Sequence, residues 1–150
     1  SILLNLASVA HSEDPAVLWH YISRYAPQAS PENAPILDRL VNYAITYYRD
    51  FVKPSKTYRK ANPAEAAALA DLAAALRGES AEATAEALQN QVYDIGKRHG
   101  FTELRAWFKA LYEILLGQEQ GPRMGSFIKL YGLAETITLL DKAARGEALE

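Results

Sequence analysis

Apolar residues recur at helical spacing through almost the whole chain and at convincing strand spacing nowhere, and this period constrains the fold more than any single motif. Ile36, Leu37, Leu40, Val41, Ala44, Ile45, Tyr48, Phe51 and Val52 keep the 3.6-residue repeat until Pro54 must end it. Leu104, Trp107, Phe108, Leu111, Tyr112 and Leu115 form a second such stripe. The pattern predicts an all-α bundle or cage of about six to eight helices with no sheet. Both stripes are expected to face a core, with Tyr43 and Tyr47 at the edge of the first.

Helix punctuation supports this reading. Ile2 to Val9 reads as the end of an apolar helix. Asp14 can cap the next one, with Pro15 at its first position and Val17, Leu18, Tyr21, Ile22 and Tyr25 as its buried stripe. Asn62, Pro63 and Glu65 form a capping signature ahead of an alanine-rich helix with a narrow Leu69, Leu72 and Leu76 seam, either closely packed or a thin spacer. Ser80 or Thr84 opens the following helix, Gly100 stops it, and Thr102 is expected to cap the one after. A short turn from Phe127 to Tyr131, a break at Gly132 and a helix from Leu133 to about Ala144 complete the chain, leaving RGEALE as a frayed tail. The span 1–150 reads as one helical domain, with 61–83 the place where it would subdivide. No repeat of solenoid period is present.

One segment departs from the helical pattern. In LLGQEQGPRMGSF, from Leu115 to Phe127, Gly117, Gly121, Gly125 and Pro122 interrupt a regular helix. Between them stand Gln118, Gln120, Arg123 and Ser126. Amides and a guanidinium on a shaped loop can read the edges of a base or hold a phosphate.

Composition narrows the chemistry. At 150 residues and 49% apolar, the chain can bury about 70% of its unfolded surface in one domain. It has no cysteine, which excludes disulfides, thiolate catalysis and cysteine-ligated zinc and fits a reducing compartment. His11, His20 and His99 lie far apart, so no metal site is expected. No apolar stretch reaches the roughly 20 residues needed to cross a bilayer. A start at Ser1 within a helix, without an initiator methionine, suggests a piece of a longer polypeptide.

Net charge is only −2 but segregated. Basic runs at 49–60 and 97–109 flank an acidic middle, as expected if one surface meets an anion.

No catalytic constellation is visible. Ser126 has no nearby histidine, and the glycines of GQEQGPRMG match neither a phosphate-binding loop nor a dinucleotide fingerprint. Single-stranded RNA fits better. It needs aromatic faces, with cations along the backbone and amides at base edges. Trp107, Phe108, Tyr112 and Phe127 flank the loop, interleaved with Arg105, Lys109 and Arg123.

Two runs, YDIGKRHG at 93–100 and WFKALYEILLGQEQGPRMGSFIKLYG at 107–132, resemble the C-terminal domain of class I lysyl-tRNA synthetases. SILLNLASVA, PAVLWHYISRYAP and DFVKPSK are similar to the same family. The resemblance implies an anticodon-binding α-helix cage like that of glutamyl-tRNA synthetases, following a catalytic domain that is absent here together with its HIGH and KMSKS motifs. ATP and Mg would bind that absent domain, so no cofactor and no catalytic residue is expected in this chain. The implied partners are the tRNA(Lys) anticodon stem-loop and the catalytic domain, with no membrane and no DNA, and the implied location is the cytoplasm. Lysine anticodons are rich in uridine, a poor stacker with two carbonyls and one imino hydrogen. Gln118, Gln120, Arg123 and Ser126 are therefore the expected base-reading residues, Trp107 or Phe127 the stacking support, and Lys97, Arg98, Arg105 and Lys109 the phosphate ligands. Met124 stands where the family pattern leads one to expect an aromatic residue. The alternative is a helical protein-interaction module that binds no RNA.

Overall fold

The structure, a computed structural model, describes residues 1–150 and is all-helical, with eight α-helices and no strand. Two compact units divide at Lys56/Thr57, just ahead of the 61–83 stretch.

In the first unit, α1 (Ile2–Ala10), α2 (Pro15–Tyr25) and α3 (Pro35–Tyr47) pack together, and a π-helical turn (Tyr48–Val52) and a 3-10 turn (Lys53–Ser55) carry the chain past Pro54. Asp14 caps α2 by accepting from the Ala16 N–H at 2.9 Å, as its position before Pro15 predicts. The Trp19 indole N–H donates to Asp38 Oδ1 at 2.9 Å and ties α2 to α3.

The long stripe of α3 is only half buried. Val41, Ala44, Ile45, Tyr48 and Val52 form the core face, whereas Ile36, Leu40 and Phe51, expected inside, are exposed together with Tyr43 and Tyr47. α1 and α2 cover one side of this helix, and the apolar arc is wider than that side. The expected stripe of α2 is likewise narrower, with Leu18, Trp19 and Ile22 buried and Tyr25 exposed.

In the second unit, α4 (Pro63–Arg77) packs chiefly on α8 (Leu133–Ala144), and α5 (Ala85–Arg98) on α7 (Met124–Tyr131). The capping box closes as predicted: Glu65 N–H donates to Asn62 Oδ1 at 2.8 Å, and Asn62 N–H donates to Glu65 Oε1 at 2.9 Å. The alanine-rich α4 is no spacer. Ala68, Leu69, Leu72, Ala73 and Leu76 are all fully buried, and small residues let α8 approach closely. Thr84, not Ser80, caps α5.

Three boundaries differ from expectation. α6 (Leu104–Leu115) has Glu103, not Thr102, at its cap position and no side-chain cap. α7 starts at Met124, inside the segment read as loop, so Gly125 is helical. A Cβ there would overlap the Ala85 carbonyl oxygen, and glycine is what lets α7 lie against α5. In the tail, Leu149 is buried.

Candidate nucleic-acid interface

Helix α6 has two chemically distinct faces. Trp107, Ala110, Leu111, Ile114 and Leu115 are buried. Arg105, Phe108, Lys109 and Tyr112, spaced i, i+3, i+4 and i+7, share the other side. They form one wall of a cleft of about 600 Å³, whose opposite wall is Glu119, Gln120 and Gly121.

Tyr112 fixes the two walls together. Its hydroxyl donates to the Pro122 carbonyl at 2.7 Å, and its own carbonyl accepts from the N–H groups of Leu116 and Gln118 at 2.9 and 3.3 Å. Gly121 lies directly against the Tyr112 ring, where a Cβ would clash. Gly117 turns the chain at φ +71°, and its carbonyl accepts from the Thr57 N–H at 2.9 Å. Burial raises the Tyr112 pKa, so its hydroxyl stays a neutral donor at physiological pH. Beside it, Phe108 lies 6.3 Å from Tyr112 and meets Tyr93, outside the cleft lining, edge-on at 5.3 Å, so the two cleft rings belong to a half-buried aromatic row.

The expected site residues separate. Arg105, Lys109 and Gln120 meet in the cleft. Lys97 is exposed in the last turn of α5. Arg98 is paired with Asp71 at 3.0 Å, and His99 Nε2 lies 2.8 Å from the same oxygen. These contacts, the His99 hydrogen bond first, hold the Asp71 carboxyl below its ordinary range. Gln118 is half-buried, and Arg123 is exposed at the cap position of α7. Ser126 is half-buried within the first turn of that helix.

Both stacking candidates require correction. Trp107 is fully buried, donates its indole N–H to the Val92 carbonyl at 2.9 Å and packs on Gly96. Phe127 is buried and stacked on Tyr131 at 5.6 Å. Neither ring offers a free face. The half-buried rings that line the cleft are instead Phe108 and Tyr112, and their signal was available: on a helical wheel they flank the Trp107, Leu111 and Ile114 line rather than continue it. Met124 is buried too, so the departure there concerns core packing.

The 49–60 basic run is mostly neutralised internally. Arg49 pairs with Asp50 and Lys53 with Glu13, at 3.0 and 2.8 Å. Arg59 grips Glu65 with two hydrogen bonds, 2.7 and 2.9 Å, and reaches Glu113 at 2.9 Å. Lys56, half-buried on the Ser8 carbonyl and the Tyr48 hydroxyl, has its pKa lowered by desolvation to about 8. By contrast Arg105 and Lys109 are exposed and engage no carboxylate. The residue missed altogether is Gln89, buried in α5, whose Oε1 accepts from the Gly125 N–H at 2.7 Å.

Aromatic edges, two free cations and an amide can hold an unstacked base and its phosphates. No cluster of His, Cys, Asp or Glu is arranged to hold a metal ion, and no helix is long and apolar enough to cross a membrane.

Curated proteins similar to the chain agree with one another. One from Roseobacter denitrificans is 52% identical over 149 residues, 99% of this chain and 28% of that protein. One from Rickettsia bellii is 49% identical over 142 residues, and one from Rickettsia felis 47% over 141, each match covering 27% of the relative. These relatives are lysine–tRNA ligases. Nearly the whole chain is thus homologous to a part of lysyl-tRNA synthetases, and it spans little more than a quarter of their length. No family model matches the chain, and no solved structure is detectably similar.

Proposed function

We propose that this chain is the anticodon-binding, α-helix-cage part of a class I lysine–tRNA ligase, and that the α6 cleft receives an anticodon base. The observation that carries the reading is the meeting of Arg105, Lys109 and Gln120 over Phe108 and Tyr112, in a chain about half identical to lysine–tRNA ligases. A uridine offers little stacking, so the Gln120 amide and the cations supply most of the recognition, with Phe108 and Tyr112 shaping the floor. Arg123 and Gln118 flank the cleft in sequence and reach the neighbouring anticodon nucleotides, with Ser126 at the start of α7 beside them. Lys97 extends the phosphate track; Arg98 contributes less because Asp71 holds it. Activation of lysine with ATP and Mg, and its transfer to tRNA(Lys), belong to the remainder of the ligase polypeptide, acting where translation occurs in the cytoplasm.

Fluorescence anisotropy with a lysine-tRNA anticodon stem-loop tests this. With Lys97, Arg105 and Lys109 as the free cations, log affinity should fall against log salt with a slope of about −2, at roughly 0.7 per phosphate. Lys109→Ala and Arg105→Ala should each weaken binding by at least about tenfold, the value of a lost charge-assisted contact of about 1.5–3 kcal/mol. Equal affinity for cognate and anticodon-swapped stem-loops would overturn the proposal. The alternative, a protein-interaction module, is favoured by the exposed apolar face of α3 and predicts no stem-loop binding at all.

A further inference from the structure

The exposed face of α3 lies in the first unit and takes no part in the α6 cleft. Ile36, Leu40, Tyr43, Tyr47 and Phe51 are 68, 53, 70, 41 and 64% exposed. Their spacing of four, three, four and four residues sets them along one side of the helix and its π-helical extension. The rings are ordered against one another: Tyr43 stacks on Tyr47 at 6.4 Å, and Tyr47 meets Phe51 at 4.9 Å. Beside them, Leu3 and Leu4 of α1 close a groove of about 430 Å³ with Leu40, Tyr43 and Tyr47. Folding that leaves five large apolar side chains in one row uncovered marks a contact surface, since isolated exposed apolar residues are ordinary but a contiguous row is not.

The chemistry of the rim selects the kind of partner. An RNA surface needs free cations along the aromatic row. Here Arg49 is held by Asp50 and Lys53 by Glu13, which leaves only Arg39 free on α3. An apolar row with a nearly neutral rim fits protein. The ligase relatives supply a candidate, because the matched span is 28% of the Roseobacter denitrificans protein and the other 72% lies outside it. Ser1 forms part of the groove wall, so in a polypeptide continuing beyond Ser1 the joined residues would emerge at the groove. Tethering of that kind raises the effective concentration to the millimolar range, which favours a segment of the same polypeptide over a second copy.

We infer that the Ile36–Leu40–Tyr43–Tyr47–Phe51 face packs against the remaining part of the same ligase polypeptide and joins the tRNA-reading part to it. This rests on the reading of the chain as one part of a longer ligase, and is independent of which residues line the anticodon cleft.

Hydroxyl-radical footprinting of the full-length, unsubstituted ligase tests it. Tyr25, 59% exposed on α2 and outside the row, is the internal standard. Tyr43 and Phe51 should be modified about tenfold more slowly than Tyr25, without RNA and independently of protein concentration, as side chains shielded by a contact costing about 1.4 kcal/mol to open. Leu40→Asp in the same full-length protein should bring Tyr43 close to the Tyr25 rate. Equal rates in the unsubstituted ligase would overturn the inference. So would protection that appears only with tRNA, which assigns the face to RNA, or protection lost on dilution together with a dimeric mass, which assigns it to a second copy. Failure of the cleft variants to weaken stem-loop binding, with Tyr43 and Phe51 still shielded, would sink the cleft assignment and leave this one standing.

Discussion

Gly125→Ala should be among the most damaging single-methyl additions in the chain. Gly125 sits in the first turn of α7, buried against α5, and an added Cβ would lie inside contact distance of the Ala85 carbonyl oxygen and 2.9 Å from the Gln89 nitrogen. Both are backbone atoms of α5, so no side chain can rotate away and the helices must separate. Overpacking of this kind costs about 1–3 kcal/mol. Separation also stretches the buried 2.7 Å bond from the Gly125 N–H to Gln89 Oε1. Leaving that donor unsatisfied costs about 1–3 kcal/mol. Alanine's better helix propensity returns about 1 kcal/mol. The balance is about 3 kcal/mol of destabilisation, or a Tm lower by about 6–12 °C at roughly 2–4 °C per kcal/mol for a chain of this size. Thermal unfolding followed by circular dichroism at 222 nm measures it, with Gly78→Ala as control: there a Cβ would sit an ordinary 3.5 Å from the Ala75 oxygen. Because α7 begins directly after the Gln120 loop, the same variant should weaken stem-loop binding. Equal Tm values for the two alanine variants would refute the packing argument.

Three further outcomes follow from the same contacts. Gln89→Leu keeps the volume but leaves the buried Gly125 N–H without an acceptor, and should cost about 1–3 kcal/mol in urea unfolding. Tyr112→Phe removes the hydroxyl donation to Pro122, worth about 1 kcal/mol, and should raise hydrogen exchange across 116–121 and weaken stem-loop binding several-fold while moving Tm by only about 2–4 °C. Glu65 is held below its ordinary pKa, first by the Arg59 hydrogen bonds, so its folded value lies under the unfolded one near about 4.3. Its stabilising contribution is complete above the unfolded pKa and is lost as pH falls through the folded value; Glu65→Gln should therefore flatten the acid side of the stability curve, and an unchanged acid limb would remove this pair from the explanation.

Fold class and most helix boundaries were legible because they depend on local chemistry. Asp14 before Pro15 and Asn62 with Glu65 satisfy orphan N–H groups within one turn, so the same residues cap the helices in the structure. The boundaries that differ are tertiary in origin. Gly125 looks like a helix breaker in sequence, yet its missing Cβ serves the α5 contact, and nothing near it in sequence announces Ala85 or Gln89. The basic run at 49–60 was misleading for a related reason: Glu13, Glu65 and Glu113, which neutralise Lys53 and Arg59, are brought to it by folding.

The proposed site shows the same limit at finer scale. α6 was predicted as one broad apolar stripe, and a stripe does not say which of its members the neighbouring helices will cover. Trp107 falls in the middle and becomes core, with its indole N–H satisfied by Val92 in place of a ligand. Phe108 and Tyr112 fall one position further round and stay half-exposed, beside two cations that no carboxylate reaches. On α3 the division goes the other way: the arc exceeds what α1 and α2 can cover, and five apolar side chains remain outside. In both helices the proposals rest on the residues left over by local packing. On α6 that remainder is aromatic and cationic, which suits RNA; on α3 it is apolar, with Arg49 and Lys53 paired and Arg39 alone free, which suits protein.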